Sequence, residues 1–484
     1  MGSTFFGLNI AYKGLSTQQK ALDVISHNIA NANTEGYTRQ SVVAQTTRPM
    51  DTANGYIGTG VEVADIRRIR EEFLDIQMRT ENKSLGEWST KSDILNKLEV
   101  IFNEPSETSI RSVSDAFWDS WQILSKNPES VAVRTTVMQT GITLVNTYNH
   151  IETQFKELQE DINKGIAVKV SEINSIGLQL GDLNDQIVKA ERQGHSANDL
   201  RDKRDLLLEQ LSETVAMDVN EDEYGAVNVT IGGKYLVAGT VVSKMAFTDS
   251  DSDPTDATLE WCDPLSGISQ GKVRLSGGIL KGYVDMRDEV IPKYRDNISL
   301  VAKTVAEGAD GLHGVNGLHK VGFGLNGETG VDFFTKYDET ADFSTENIRV
   351  NPEIIDNLNL IAAATAEEPD FLVYEGDGSN ALAIAQLKDK LTMNGDVATF
   401  DDFFRSTVGQ LGVESQEAQN MENNRSYLIE QLINQRESVS GVSLDEEMAN
   451  MIMYQHAYTA AARVINTMDE MLDIIVNRLG TVGR

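Results

Sequence analysis

The sequence predicts a mainly α fold with β-rich insertions, in which helices at the two ends of the chain pair as a coiled coil. Apolar residues recur every seven positions near both ends of the 484-residue chain. A long interior stretch has the three-four apolar spacing of a helix, and shorter stretches alternate apolar and polar residues beside glycines, as strands do. Only eight prolines against 38 glycines favour long helices joined by glycine-bearing loops.

The first predicted helix carries a heptad pattern and ends in a turn. Its two rows are Leu8, Leu15, Leu22 and Ile29, and Ala11, Gln18 and Ile25, with Gln18 as a polar defect. Because the pattern covers only about three heptads, the helix is marginal alone in water. The turn motif that follows consists of Asn31, Asn33, Gly36 and Tyr37. Asparagine and glycine suit it because they tolerate caps and positive φ.

The last predicted helix also carries a heptad pattern. Its first row is Leu444, Met451, Tyr458, Ile465, Leu472 and Leu479, and its second row is Met448, Gln455, Ala462, Asp469 and Val476. Ser443 and Glu446 have the spacing of a capping box, and Gly480 is a suitable stop. A strict seven-residue period over about five heptads predicts a left-handed supercoil.

The interior is predicted to be helical with two β regions. Apolar spacing from Leu144 to Ala190 indicates one long helix, or a helix kinked near Gly165 or Gly177. A later helix is expected to break or kink at Pro292. The stretch GAVNVTIGGKYLVAGTVV reads as a β-hairpin turning at its two adjacent glycines, and residues 322–396 read as a small β-rich or mixed region.

Composition and sequence argue against several classes of protein. With 74 acidic and 42 basic residues the net charge is −32, which disfavours a nucleic-acid partner. We see no run of about 20 apolar residues for a membrane span and no features of a signal peptide at the start. The one cysteine, Cys262, rules out an intrachain disulfide. That suits a cytosolic protein or one exported by a route independent of disulfide formation.

The chemical motifs are weak. GFGLNG, from Gly322 to Gly327, matches a dinucleotide-binding glycine pattern but lacks the strand before it and the helix after it. The six histidines show no metal-binding spacing, and no nucleophile, phosphate-loop or paired-carboxylate signature stands out. We therefore expect no catalytic, cofactor-binding or metal-binding residues and no enzymatic activity.

The two ends and the interior resemble a known family. ALDVISHNIANANTEGYTRQ is similar to the N-terminal motif of bacterial flagellar axial proteins, and SGVSLDEEMANMIMYQHAYTAAARVINTMDEMLDIIVNRL is similar to their C-terminal helix. Stretches such as DLNDQIVKAERQGHSANDLRDKRDLLLEQLSE resemble the hook-associated members found at the hook–filament junction. Glu35 departs from the motif, which often has proline at this position.

The resemblance implies a nested layout. Residues 1–60 plus 440–484 would form an inner, axial coiled-coil domain. Residues 61–320 plus 400–439 would form a long-helix domain with a β-hairpin region around 216–275, and residues 321–399 an outer β-rich or mixed domain. The candidate assembly interface is Leu8, Leu15, Leu22, Ile25, Ile29, Leu444, Met451, Tyr458, Ile465, Leu472 and Leu479.

The resemblance also implies a function and partners. The chain would be a structural adaptor between hook and filament, whose terminal helices fold as subunits assemble. Its partners would be the hook protein, the second junction protein, further copies of itself in a ring, and a cytoplasmic export chaperone on the C-terminal helix. It would leave the cell by the flagellar type III route and act outside it.

Two other classes remain open at this stage. Another axial subunit, such as a hook or distal rod protein, is the first alternative, although the long interior helices argue against it. A binding or adhesin-like module that reads its ligand through the β region is the second, although no sequence feature suggests a ligand.

Overall fold

The fold is given by a computed structural model, which describes residues 5–52, 55–103, 106, 109–192, 194, 196–248, 257–263, 266–308, 313–365, 375–393 and 395–474. Within these residues the chain is mainly helical with β-rich insertions, so the predicted fold class is confirmed.

The helices of the described residues are α1 (Phe6–Ala30), α2 (Glu72–Phe102), α3 (Ile110–Lys126), α4 (Val131–Glu191), α5 (Asn198–Thr214), α6 (Ile279–Asp285), α7 (Ile291–Glu307), α8 (Val315–Val321), α9 (Pro352–Asp356), α10 (Ser379–Ala385), α11 (Phe400–Ser440) and α12 (Leu444–Asp473). A π-helical turn, Met286–Val290, joins α6 to α7.

The strands are β1 (Gln40–Thr46), β2 (Met50–Thr52), β3 (Gly55–Ile57), β4 (Val61–Arg68), β5 (Asp218–Glu221), β6 (Val227–Ile231), β7 (Lys234–Ala238), β8 (Val241–Val242), β9 (Lys244–Thr248), β10 (Thr258–Cys262), β11 (Ser269–Lys272), β12 (Phe334–Lys336) and β13 (Ile348–Val350). They form small antiparallel sheets in the orders β1-β4, β2-β3, β5-β6-β7-β8, β11-β10-β9 and β12-β13.

The long interior helix is unbroken. α4 runs for 61 residues, which is about 90 Å at 1.5 Å per residue. Neither Gly165 nor Gly177 interrupts it. Both are sites of close packing: a Cβ would lie 3.1 Å from the Tyr283 ring at Gly165 and 3.3 Å from Val242 at Gly177. Pro292 lies in the first turn of α7, directly after the π-helical turn, so the interruption predicted there is present.

The β regions pack onto this helix. The predicted hairpin is β6–β7, whose turn places Gly232 and Gly233 at φ values of +57° and +86°. The sheet it belongs to contacts α4 through Val242. Residues 321–399, where described, contain two three-residue strands, two short α-helices and two short 3₁₀ helices. The sequence 366–374 and most of the acidic loop before Cys262 lie outside the described residues, and the division into domains stays a prediction.

One large hydrophobic cluster stabilises the interior. Its buried members run from Ile94 in α2 to Ala418 in α11 and include residues of the 321–399 stretch, such as Phe333 and Ile348. A small second cluster of Leu74, Met78 and Leu432 lies where α2 and α11 pack. Among the described residues, neither α1 nor α12 contributes to either cluster. The ends of the chain are therefore held by other contacts.

A pair of antiparallel helices connects the interior to those ends. α2 and α11 pack along their lengths, with Asn96 bonded to Gln419 at 2.8 Å and Arg425 paired with Glu81 at 2.8 Å. This pair brings the start of α2 and the end of α11 to the same place. The helix α12 begins there after a short connection. In the parts of the chain that are described, no helix is both long enough and apolar enough to span a membrane.

Candidate assembly interface and the joint at its base

The two terminal helices pair in antiparallel orientation. Near one end a Cβ on Gly7 would lie 2.7 Å from the terminal methyl of Met468, and near the other Asn28 bonds to Glu447 at 2.9 Å. The Ser443 hydroxyl caps α12 with a long 3.5 Å bond from the Glu446 amide. The predicted capping box is incomplete, because the Glu446 carboxylate accepts from Arg39 instead.

The predicted interface residues line the edges of this pair. Ile25 is buried, Leu8, Leu15, Leu22 and Ile29 are half-buried, and Met451, Tyr458, Ile465 and Leu472 are half-buried. Leu444 is 49% exposed, and Leu479 lies outside the described residues. These positions show where the rows lie within one chain. Their role between chains stays a prediction.

Three of the four described positions in the second predicted row of the last helix do not face α1. Glu447 and Met468 contact α1, and Tyr454 and Ala461, which lie between them at sevens, are half-buried. Met448 is 51% exposed, and Gln455 and Asp469 are exposed as well, whereas Ala462 is half-buried and Val476 lies outside the described residues. The side of α12 that faces α1 therefore carries the residues four positions before each member of the first row. A seven-residue period cannot distinguish the two sides, because both spacings occur in heptads.

The terminal pair has a thin apolar interior. The buried apolar residues of α1 are Ala11, Ala21, Val24 and Ile25, and Glu447 is the one buried residue in the described part of α12. The amide oxygen of Gln18, the predicted polar defect, is buried without a partner in the described structure. On the outer side of α12, Met453, Val464 and Met471 are each more than 40% exposed. One chain alone therefore does not cover the apolar surface of its own ends.

Asn28 is the centre of a buried joint at the base of the pair. Its side chain is 1% exposed. The amide nitrogen donates to the Gln40 carbonyl and to the Glu447 carboxylate, each at 2.9 Å. The amide oxygen accepts from the Tyr37 hydroxyl at 2.7 Å and from the Gln40 backbone amide at 3.0 Å. All four hydrogen-bonding positions of the amide are used, which fixes α1, the turn, β1 and α12 to one another.

Arg39 joins the same network from the other side. Its guanidinium donates to Glu447 at 2.8 Å and to Glu446 at 2.9 Å, and its backbone amide donates to the Ser440 carbonyl at 3.0 Å. Glu447 is 2% exposed, so its charge is buried but paired and hydrogen-bonded, as a buried carboxylate must be.

An arginine–aspartate cluster extends the joint into α5. Arg68 donates to Asp202 at 2.8 Å and to Asp205 at 2.7 Å, and Arg70 contacts Asp205 at 3.0 Å and Asp75 at 2.5 Å. Burial alone would raise the pKa of Asp205, but the nearby Arg70 and Arg68 outweigh it and hold that pKa below its usual value. This cluster connects the returning strand β4 to the helical interior.

The turn motif belongs to this joint. Gly36 has a φ of +75° and lies against Leu206 of α5, where a Cβ would be 3.2 Å from the leucine Cβ. Tyr37 donates to Asn28, and its pKa is raised by burial and by the carboxylates of Asp199, Asp202 and Glu447. Asn31 donates to the His27 carbonyl at 3.0 Å. Asn33 is exposed at the tip.

Sequence reasoning missed Asn28, Arg39 and Glu447. Asn28 did carry a signal, since it is polar between Ile25 and Ile29 on an apolar helix face. Glu447 carried none, because its partners lie more than 400 residues away in the chain.

Within the described ranges no group of three or more potential ligands is placed to hold a metal ion. His319 is buried, and it is fully engaged with the Val331 carbonyl at 2.7 Å and the Ala362 amide at 2.9 Å. Cys262 is a half-buried free thiol in β10.

Three family models match different parts of the chain. Residues 95–334 match the model described as flagellar hook-associated protein FlgK helical domain. Residues 8–38 match that of the flagella basal body rod protein, and residues 434–479 match that of the flagellar basal body rod FlgEFG protein C-terminal.

Full-length relatives give the same picture. The chain is 33% identical to flagellar hook-associated protein 1 of Bacillus subtilis, and the match covers 100% of both chains. It is 26% identical to the protein of that name in Salmonella typhimurium and 25% identical to that in Escherichia coli, over 97% of this chain and 99% of each relative.

A solved structure shares the fold. It is titled as that of the flagellar hook junction protein FlgK from Burkholderia pseudomallei. The two structures superpose with a TM-score of 0.64 at 16% identity, covering 75% of this chain and 100% of the other.

Proposed function

Because this chain belongs to the flagellar hook-associated protein 1 family, we propose that it is a structural subunit of the bacterial flagellum that connects the hook to the filament. The interior match to the hook-associated helical domain does not favour the alternative of a hook or distal rod subunit. The relatives are flagellar structural proteins, and we assign no catalytic role to this chain.

The mechanism we propose is coupled folding and assembly of the terminal helices. The observation that carries it is the open seam of the α1–α12 pair, whose leucine row Leu8, Leu15 and Leu22 is only half-buried within one chain. Neighbouring subunits would bury this row and the exposed side of α12. Burying a fully exposed leucine contributes about 1.5–3 kcal/mol, so each half-buried leucine contributes part of this, and the sum over several residues per subunit favours ordered association.

The partners follow from this position in the flagellum. We propose that the chain contacts the hook protein on one side and the second junction protein on the other, and that its copies form a ring. An export chaperone would cover the C-terminal helix before secretion through the flagellar type III route. The apolar exposure of α12 supports this, because such a surface needs cover in a cell. The site of action would be extracellular, at the hook–filament junction.

The test is capping of purified hooks by the purified full chain, scored by electron microscopy. We expect wild-type protein to form a layer at hook tips and the Leu22→Asp variant to be lost from them. Leu22 is outside both hydrophobic clusters, so circular dichroism should show the interior still folded.

The matched control is Leu178→Asp on α4, where the leucine is 48% exposed and distant in sequence from both ends. It should cap hooks as the wild type does. Capping by Leu22→Asp at the wild-type level would contradict the mechanism, and wild-type protein that ignores hook tips would contradict the function.

A further inference from the structure

Methionine is concentrated in the last helix. The chain has 14 methionines, and the 30 residues of α12 contain five of them. They are Met448, Met451, Met453, Met468 and Met471. A thioether is apolar and flexible, which suits a surface that packs against other surfaces, but its sulfur is also open to oxidation.

The same helix carries the most accessible methionines. Of the methionines that the structure describes, three are more than half exposed, and all three lie in α12: Met448 at 51%, Met453 at 53% and Met471 at 58%. The interior methionines Met78, Met245, Met286 and Met393 are each 3% exposed or less. An oxidant dissolved in water therefore reaches the sulfurs of α12 before it reaches those of the core.

Met453 and Met471 lie on one exposed side of α12. They are eighteen residues apart, which is five helical turns, so their side chains leave the helix in the same direction. Val464 lies between them on that side and is 44% exposed. We call Met453, Val464 and Met471 the outer stripe. By contrast, the terminal methyl of Met468 lies against Gly7 of α1, so Met468 is half-buried within the chain.

Oxidation reverses the polarity of such a stripe. When a thioether meets hydrogen peroxide, an S–O bond forms as the O–O bond breaks. The sulfur loses two electrons, and the peroxide is reduced to one molecule of water, which keeps both protons. The product is a polar sulfoxide, whose oxygen must stay hydrated or find a hydrogen-bond donor. An apolar contact built on the stripe therefore loses its thioether packing and must dehydrate two new polar groups.

We propose that Met453 and Met471 are oxidation sites of the unassembled subunit, and that their conversion to sulfoxides by a hydroperoxide blocks its incorporation into the flagellum. The inference rests on the proposed function, because the polarity of the outer stripe matters only if neighbouring subunits cover it. The monomer itself stays folded, since neither residue belongs to a hydrophobic cluster of the described chain.

The first test is oxidation footprinting in a Cys262→Ser background, which removes the one thiol of the chain. Monomeric and hook-bound protein are exposed to the same hydrogen peroxide for the same time, and sulfoxides are located by peptide mass spectrometry. In the monomer, Met453 and Met471 should oxidise at least about tenfold faster than the buried Met286, and capping of hooks should slow them about tenfold. Equal rates at Met453 and Met471 in the monomer and on hooks would overturn the inference.

The second test is hook capping after oxidation. Peroxide-treated monomer should cap about tenfold fewer hooks, and treatment with methionine sulfoxide reductases A and B together should restore capping. Met453→Leu with Met471→Leu keeps the stripe apolar and of similar volume, so this variant should cap hooks both before and after peroxide. Its remaining methionines are still oxidised, which assigns the effect to the stripe.

A polar substitution imitates the sulfoxide without an oxidant. Met453→Gln with Met471→Gln should reduce capping about tenfold, because glutamine is unbranched like methionine but carries a group that needs hydrogen bonds. The matched control is Val168→Gln with Leu178→Gln on α4, where the two residues are 65% and 48% exposed. It should cap as the wild type does. Circular dichroism should show every variant folded.

The outcomes separate this inference from the function beneath it. If untreated wild-type protein fails to cap hooks, the proposed function is wrong. If it caps them equally well with Met453 and Met471 fully oxidised, the inference alone is overturned. Loss of capping by the peroxide-treated leucine variant to the same extent as the wild type would also overturn it. Should the leucine variant fail to cap before treatment, reductase repair decides, and reduced protein that stays inactive would overturn the inference.

Discussion

Glu447 is the residue whose removal tests the joint most sharply. Its carboxylate is 2% exposed and accepts hydrogen bonds from Arg39 at 2.8 Å and from Asn28 at 2.9 Å. Removing one partner of a buried ion pair typically costs about 3–5 kcal/mol, because the other charge is left uncompensated. Arg39 retains Glu446 as a partner, so we expect Glu447→Ala to cost about 3 kcal/mol, the lower end of that range.

This loss should appear as detachment of the terminal helices. Three kcal/mol corresponds to about a hundredfold increase in the opening equilibrium of α12. Hydrogen exchange of the monomer, followed by mass spectrometry, should therefore show faster exchange in α12 and the second half of α1. Peptides of α4 should not change, because no residue of the joint belongs to the hydrophobic cluster around that helix.

Asp445→Ala is the matched control. It removes a carboxylate from the same helical turn, but Asp445 is exposed and its side chain makes no ion pair within the described residues. Its exchange pattern should equal that of the wild type. If Glu447→Ala exchanged no faster than Asp445→Ala in α12, the joint would not hold the terminal pair and the reasoning from its geometry would be refuted.

Three further changes test the turn, α1 and the interior. Gly36→Ala should destabilise the turn by about 1–2 kcal/mol, because the φ of +75° at this position disfavours a side chain. Gly14→Ala should stabilise α1 by about 0.5–1 kcal/mol, because the added methyl group meets open space within the helix. Hydrogen exchange of α1 measures both effects. Burial lowers the pKa of His319 to about 4, so the unfolded chain binds a proton first as the pH falls below about 6.5. This contribution to stability is present above pH 6.5 and lost towards pH 4. Urea titrations should thus show wild-type protein losing about 3 kcal/mol more over this range than His319→Gln, and parallel curves would contradict the prediction.

The sequence allowed the helices to be predicted because their signals are local. The heptad rows identified α1 and α12, and the three-four spacing identified α4. Pro292 indicated the interruption before α7, because proline lacks a backbone N–H and so removes a hydrogen bond from its own helical turn. The two adjacent glycines between β6 and β7 indicated their turn in a similarly local way, because a positive φ is adopted by single residues and glycine adopts it readily.

The errors arose where the answer depends on distant parts of the chain. The side of α12 that faces α1 is set by Asn28 and Arg39, which bury Glu447 rather than Met448. A carboxylate buried in that position loses its hydration, and its hydrogen bonds with Asn28 and Arg39 compensate for this loss. Gly165 and Gly177 were possible kinks in the sequence, but they proved to be contact points for Tyr283 and the β5–β8 sheet.

The candidate site was predictable in part. The turn motif pointed to the right place, because Gly36 and Tyr37 lie in the joint. The leucine rows pointed to a helix seam. The contact between α1 and the start of β4 was not predictable, because it exists only once Gly60, some 50 residues away, packs against Lys13. Local patterns therefore located the ends of the joint, and the tertiary contacts decided which side chains form it.

The central claim is that the ends of the chain become fully ordered only among neighbouring subunits. Limited proteolysis of the monomer and of hook-bound protein, read by mass spectrometry, tests it most directly. The account predicts early cuts within residues 5–30 and 444–474 of the monomer, a long-lived fragment that retains α4, and protection of both ends on hooks. Ends that resist cleavage in the monomer as well as α4 does, with no change upon binding, would contradict it.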